Sequence, residues 1–439
     1  MNVSNCYLAP EYASHLQSLL TRYRTLMDDQ GAGSVVIHAG ALINRYHDDQ
    51  AYPFSPYAMA QQWLPFRAPP ELFVVLTPQG PPRLLFPVQQ DFWHLTPQVP
   101  PGDWQTHWQV DPYTDAQAVL TGLPQPMVWL GPEHDVQRQV RPDSINPEAW
   151  LTPLYYDRGV KTDWEVTCLA AASRRGVLGH QAAQAAFEEG LSEALIHQRF
   201  LAASQQVAAE EPYPGIVGLN EAAATLHYEQ RRFDVPERHR TLLIDAGASV
   251  CGYASDITRT HTTDTGLFAE LLARMDSLQQ TLCRHTVAGQ PFPELHEQAR
   301  WGVATILYET GLCRHTPEHQ LALRIPYAFF PHGLGHLLGL QVHDAGGRWQ
   351  SRDGQSVPPP ETAPALRLTR TLEAGMVLTI EPGLYFIPML LDNLVRDIPD
   401  HGCDLDLIES LLPFGGIRIE DNLVVGEATS RNLTREAGL

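Results

Sequence analysis

Two aspartates sit where a buried strand should carry no charge. Leu242-Leu243-Ile244 is a short apolar run that ends directly on Asp245, and Tyr253-Ala254-Ser255-Asp256-Ile257-Thr258 reads as a second strand with an acid inside it. A hairpin turning at Val250 and Cys251 sets Asp245 directly opposite Asp256, with Cβ atoms roughly 4.5–5.5 Å apart. Two carboxylates so placed on an apolar sheet repel and lose hydration, so one holds a proton or a cation lies between them. Val-Cys is not a favoured turn pair, and two exposed strand-end acids are the alternative.

Further ligand types follow downstream. The stretch FPHGLGHLLGLQVHDAGG carries His332, His336 and His343. His332 and His336 would share a helix face, but Gly333, Gly335 and Gly339 would each cost roughly 1 kcal/mol there, so a turn or irregular segment is expected. Glycine beside histidine also permits the close backbone approach that a packed site needs. Glu381 ends the apolar run Met376-Val377-Leu378-Thr379-Ile380, with Pro382-Gly383 terminating the strand. Within Ile417–Leu423, Ile417 and Ile419 share one strand face, and Arg418 and Glu420 the other. Four carboxylates and one imidazole suit Mn²⁺, Co²⁺, Fe²⁺ or Zn²⁺ rather than a thiolate site. That many acids favour two ions about 3.5–4 Å apart over one.

The elements that would position these groups fall into two domains, 1–158 and 159–439. In the first, Leu16, Leu19, Leu20, Tyr23 and Met27 mark a helix over Tyr12–Asp29. Short strands follow at Val35–Ile37, Leu72–Leu76, Arg83–Phe86 and Met127–Leu130, giving a small α/β domain. The second opens on a capping box, Thr162 to Glu165, and a long helix with Trp164, Cys168, Ala171, Ala172 and Leu178 on one side and Gly190 as its stop. Ser192 would cap a helix running to about Ala208. Helices over Phe268–Thr286 and Pro293–Thr310 and strands over Met376–Glu381 and Ile417–Val425 make this part α+β.

With 439 residues, a second core is needed. Lys+Arg 30 against Asp+Glu 50 gives a net charge of −20, which argues against nucleic acid or an anionic membrane surface as partner. Cys6, Cys168, Cys251, Cys283, Cys313 and Cys403 form no C-x-x-C pair, neither a disulfide framework nor a zinc ribbon. MNVSNCYLAPEYASHLQSLL lacks a basic segment followed by an apolar one, so no signal peptide is expected, and the expected compartment is the cytoplasm.

TLLIDAGA, GYASDITRT, PHGLGHLLGLQVHD, TIEPGLYF and GGIRIEDN resemble the motif series of the pita-bread metallopeptidases, which include aminopeptidase P, methionine aminopeptidase and prolidase. The likeness is nearest to bacterial Xaa-Pro dipeptidases and their organophosphorus acid anhydrolase relatives, and it spans the chain. It implies a pita-bread catalytic domain behind a smaller α/β domain. By resemblance, Asp245 binds one metal, Asp256 and Glu420 bridge, and His336 and Glu381 bind the other, with Mn²⁺ the expected ion and Co²⁺, Zn²⁺ or Fe²⁺ also accepted. His332 corresponds to the histidine that contacts substrate and intermediate, and His343 to one lining the prolyl side. His227 and Tyr213 correspond to pocket residues, Arg367 to the arginine holding the substrate carboxylate, and Arg418 to one supporting the site. The Asp48 and Trp93 segments resemble those lent to a partner's pocket, implying a homodimer. His261 stands where relatives often carry an aromatic.

The resemblance thus implies hydrolysis of dipeptides ending in proline, with Glu381 shuttling the proton and His332 steadying the oxyanion. Proline's nitrogen carries no N–H, which sets this bond apart for general peptidases. Hydrolysis of phosphotriesters and fluorophosphonates is expected as a side reaction. The rivals are an aminopeptidase P acting on longer peptides, a metal-free binding protein of the same fold, and a principal phosphotriesterase.

Overall fold

The structure, a computed structural model, describes residues 10–439; Cys6 and most of the segment bearing on a signal peptide lie outside it. The chain divides into two compact units. The first comprises Met1–Asp157, described from residue 10, with Thr162–Cys168 and Val250–Tyr253, and the second holds the remainder.

The first unit is a six-stranded sheet ordered β4-β3-β2-β1-β5-β6. Its strands are β1 (Ser34–His38), β2 (Phe73–Leu76), β3 (Arg83–Pro87), β4 (Gln109–Tyr113), β5 (Met127–Leu130) and β6 (Ser144–Ile145). β1 runs antiparallel to β2 and parallel to β5. Its central strands are buried along their whole length, as continuous apolar runs require. The two edge strands escape a sequence reading because β4 contains Asp111 and Pro112, a residue tolerated only at edges, and β6 is two residues long. The helix Tyr12–Gln30 buries the expected stripe and closes at Gly31, whose φ of 66° suits glycine.

The capping box forms as expected: Thr162 N–H donates to Glu165 Oε2 at 2.8 Å and Glu165 N–H to Thr162 Oγ1 at 3.4 Å. It opens the helix Asp163–Glu188, which stops before Gly190. Trp164, Cys168 and Ala172 are buried, whereas Leu178 is 52% exposed, lying off the stripe they define. Ser192 precedes the next helix, Glu193–Ala203, without capping it, and that helix ends earlier than expected as Gln205 adopts φ 52°.

The aspartate hairpin differs from the expected one. Its turn is Cys251-Gly252, with φ of 52° and 84°, between β9 (Ser249–Val250) and β10 (Tyr253–Ala254). A two-residue hairpin turn of this kind needs positive φ at both positions, which β-branched Val250 resists. β8 (Thr241–Asp245) and β11 (Thr258–Thr262) therefore pair with Asp245 opposite Thr258 rather than Asp256. Asp256 keeps the same face, diagonal to Asp245, because side chains alternate. β7 (Ile216–Leu219) flanks β8 on its other side.

The long C-terminal strands each break in two. β12 (Val377–Ile380) pairs with β15 (Asp421–Val424), and β13 (Gly383–Tyr385) with β14 (Gly416–Arg418), in one continuous register. Glu381 and Glu420 occupy facing positions at the interruption. β11 joins this ladder through Thr258 and Glu420, whose N–H donates to the Thr258 carbonyl at 3.0 Å. On the far side, residues 334–338 pair with β12, with Thr379 N–H donating to His336 O and Glu381 N–H to Leu334 O. The histidine stretch is thus an extended segment, not a helix. Leu378, Ile380, Ile417 and Ile419 pack into a core with the helices Leu267–His285 and Phe292–Glu309. Leu242 and Ile244 pack against the helices Asp163–Glu188 and Glu193–Ala203. Alternation then sends Asp245, Glu381, Arg418 and Glu420 to the other face.

Candidate metal centre

That face opens into a cavity of about 300 Å³ lined by Asp245, Asp256, His336, Glu381 and Glu420, with His227, His332, His343, Arg367 and Arg418 around them. A larger cavity, about 780 Å³, lies between the helices Leu267–His285 and Phe292–Glu309 and is walled mostly by apolar side chains such as Leu278, Leu282 and Leu366. The chemistry belongs to the smaller one.

Asp256, His336 and Glu420 are buried, with ligand atoms all within 4.8 Å of one another. His336 Nδ1–H donates to the Leu337 carbonyl at 3.1 Å, because a carbonyl can only accept. The neutral ring therefore turns its Nε2 lone pair toward Asp256 Oδ2 at 3.4 Å and Glu381 Oε1 at 3.7 Å. Lone pairs facing lone pairs repel, and a proton or a cation must stand between them. Burial opposes a charge on His336, but the two carboxylates outweigh it and raise its pKa. Burial also raises Glu420 well above the usual carboxylate range, reinforced by Asp256, Glu381 and Asp245. It lifts Glu381 to about 7 against the pull of His336 and Arg418. Asp245 is likewise raised by burial, with Arg418 opposing. On Asp256 burial is overcome by His336, so its pKa falls. The donor set fits divalent cations: oxygen-rich, one imidazole in the ligating tautomer, and more negative charge than its surroundings neutralise.

A hydrogen-bonded scaffold holds these groups. Tyr213 donates to Asp245 Oδ1 at 2.8 Å, and Arg418 Nη2 to Asp245 Oδ2 at 2.8 Å. Arg418 Nη1 donates to the Tyr385 oxygen at 2.8 Å and Nε to Thr258 Oγ1 at 3.2 Å, while Thr258 donates to Glu420 Oε2 at 2.8 Å. His332 Nδ1–H donates to Gly333 O at 2.8 Å, so its Nε2 accepts from the Tyr385 hydroxyl, also at 2.8 Å. Burial and the nearby Arg418 hold His332 neutral, with a pKa lowered to about 3.

The structure places each of the expected site residues. Arg418, expected to support the site, and Tyr213, expected in the pocket, direct their polar atoms to Asp245, Tyr385 and Thr258. The ring N–H of neutral His332, on Nδ1, points at Gly333 O, and the same nitrogen lies 3.6 Å from Glu381 Oε2. His343 stands edge-on to His336, ring centres 4.4 Å apart. His227 and Arg367 are exposed at the cavity lining. Among the described residues no carboxylate pairs with Arg367. Asp48 and Trp93 belong to the first unit and are exposed. The residue the sequence reading passed over is Tyr385; fully buried, it joins Arg418 to His332.

Comparison with known proteins agrees with this layout. Residues 167–427 match the family model described as metallopeptidase family M24, and residues 10–156 that of the Xaa-Pro dipeptidase N-terminal domain. Proteins named Xaa-Pro dipeptidase are similar over nearly the full length. That of Pseudoalteromonas atlantica is 38% identical across 98% of this chain and 99% of its own, and that of Aeromonas hydrophila 40% identical across 98% of each. Among solved structures, aminopeptidase P from E. coli with the inhibitor Pro-Leu superposes with a TM-score of 0.73 at 23% identity, covering 97% of this chain and 95% of that one. Proline aminopeptidase P II from Yersinia pestis gives 0.69, also at 23% identity, covering 97% and 96%. These structures show the pita-bread fold. The chain belongs to metallopeptidase family M24, with the Xaa-Pro dipeptidase type of N-terminal domain.

Proposed function

We propose that this protein is a dinuclear-metal Xaa-Pro dipeptidase. The observation that carries the reading is Arg367, a guanidinium with no carboxylate partner among the described residues, lining a small cavity that also holds the acid cluster. A substrate whose C-terminal carboxylate pairs with it places its one peptide bond over the cluster, and a cavity of this size suits a small ligand. The full-length relatives named Xaa-Pro dipeptidase support the same substrate class.

Asp245, Asp256, His336, Glu381 and Glu420 would hold two divalent ions, Mn²⁺ first among Mn²⁺, Co²⁺, Zn²⁺ and Fe²⁺. Such a pair acidifies a water and polarises the scissile carbonyl. Glu381 accepts and returns the proton, and its position beside His332 lets the pair move it toward the leaving prolyl nitrogen. For His332 to contact an oxyanion its bond to Gly333 must be given up. His343 and His227 line the pocket beside Arg367. Phosphotriester and fluorophosphonate hydrolysis is a side reaction of the same site. The working unit is a cytoplasmic homodimer in which Asp48 and Trp93 serve the partner's pocket.

The test is hydrolysis of Ala-Pro by chelator-stripped protein reconstituted with Mn²⁺, beside a Glu381→Ala variant. Activity restored by metal and absent in the variant is expected. Cleavage of Xaa-Pro-Yaa but not Xaa-Pro would transfer the protein to the aminopeptidase P reading. Metal-dependent loss of a paraoxon-like ester checks the side reaction, and the mass in solution checks the dimer.

A further inference from the structure

Cys313 and Cys403 are far apart in the chain and meet in the second unit. Cys313 follows the helix Phe292–Glu309 and Cys403 precedes the helix Leu405–Leu411. They form an isolated antiparallel bridge. The flanking bonds run from Arg314 N–H to Gly402 O at 2.9 Å and from Asp404 N–H to Leu312 O at 3.0 Å. The cysteines thus occupy a pair that exchanges no backbone hydrogen bonds of its own. In that class Cα atoms approach to about 4.5 Å and side chains converge. A disulfide spans about 4.4–6.8 Å between Cα atoms, so the backbone is already in place for one. Both thiols are free, and both sulfurs lie near the same His401 carbonyl, at 3.5 and 3.6 Å. Cys313 is buried, whereas Cys403 is partly exposed and open to a small reagent. The metal-capable groups among the described residues lie elsewhere, so the pair is a dithiol rather than part of a thiolate metal site.

We propose that Cys313 and Cys403 are an oxidisable dithiol that closes to an intramolecular disulfide on meeting a low-molecular-weight disulfide, without displacement of the backbone. The partly exposed Cys403 thiol loses its proton and attacks the reagent's S–S bond, forming a mixed disulfide and releasing one small thiol. The second thiol loses its proton and attacks the protein sulfur of that mixed disulfide, releasing the other small thiol. Two protein S–H groups become one S–S bond, and the reagent is reduced to two thiols.

The bond would enclose the segment that carries His332, His336, His343, Arg367 and Glu381. Oxidation therefore restricts the unfolded state of that segment while leaving the folded site as it is. Turnover stays unchanged and heat resistance rises.

The experiment treats reduced, metal-loaded protein with oxidised glutathione. Expected are an intact mass lower by two hydrogens, a peptide map linking Cys313 to Cys403, and a Tm raised by roughly 5 °C. Dithiothreitol should reverse all three, and Cys313→Ser and Cys403→Ser should show none. Glutathione retained on Cys403, a link to another cysteine, or a linked protein with unmoved Tm would overturn the proposal. Should a serine variant not fold, the wild-type peptide map decides alone.

Discussion

At the scale of single residues, the centre is a contest between burial and charge that hydroxyl groups help to settle. Tyr213, Tyr385 and Thr258 together spend three O–H groups on Asp245, His332 and Glu420. Tyr385 is the informative case, because its hydroxyl accepts a hydrogen bond from Arg418 and donates one to His332, fixing that imidazole's tautomer. Replacing it with Phe should lower kcat by about 10–100-fold, the usual cost of removing an outer hydrogen-bond partner. Metal content measured on the same sample should stay at the wild-type level; its loss would move Tyr385 from positioning His332 to holding the ligand set. Glu420 gives the converse test. Its carboxylate is buried beside three others, so Glu420→Gln should weaken metal uptake yet raise the Tm of chelator-stripped protein by a few degrees. A lower Tm would mean that Thr258 and its neighbours already compensate the charge. The acids of the cluster were legible in the sequence, since each interrupts an apolar run. Tyr385 was not, because a tyrosine within Leu384-Tyr385-Phe386 has the look of plain core and nothing local tells where its oxygen points.

At the scale of elements, ligand placement depends on strand register and on glycines that let backbones close. Gly335 lies against β12, where an added Cβ would stand 2.0 Å from the Thr379 carbonyl oxygen. Gly335→Ala should therefore cost about 1–3 kcal/mol in urea unfolding and displace His336, lowering metal affinity about 10-fold or more. Further along the same segment, Asp344 is fully buried between Arg158 and Lys161 Nζ, the latter at 2.9 Å. Burial opposes its charge, but the two cations win and lower its pKa. A depressed carboxylate contributes stability above its unfolded pKa of about 3.9 and loses it as pH falls through the folded value. Asp344→Asn should destabilise by about 3–5 kcal/mol at pH 7, because it removes the carboxylate that two buried cations share, and the gap from wild type should shrink below about pH 4. A gap constant with pH would show that packing, not charge, is lost. Periodicity gave the long helices to within a residue or two, whereas the hairpin register was misjudged. The turn position is set by which residues tolerate positive φ, and Cys251-Gly252 does so better than Val250-Cys251. The cysteine pair was equally hidden, since nothing in local spacing brings Cys313 to Cys403.

At the scale of the whole molecule, a chain of net charge −20 holds its acid cluster at the floor of a cavity. A diffuse negative field concentrates cations near the surface, and low-dielectric walls focus it inward. No helix of the described residues is long and apolar enough to cross a membrane. Two contributions to metal uptake can then be separated by salt. The cluster's own acids act within a few ångströms and are screened little, while the rest of the charge acts beyond the Debye length of about 10 Å at 0.1 M. If the whole molecule steers the ion, the association rate of Mn²⁺ with stripped protein should fall several-fold between about 0.02 and 0.5 M NaCl. The dissociation rate, set by the buried ligands, should change much less. Stopped-flow recovery of activity after adding Mn²⁺ gives the first rate, and chelator chase gives the second. An association rate indifferent to salt would place all of the attraction in the five ligands and leave the acidic exterior without a part in loading the centre.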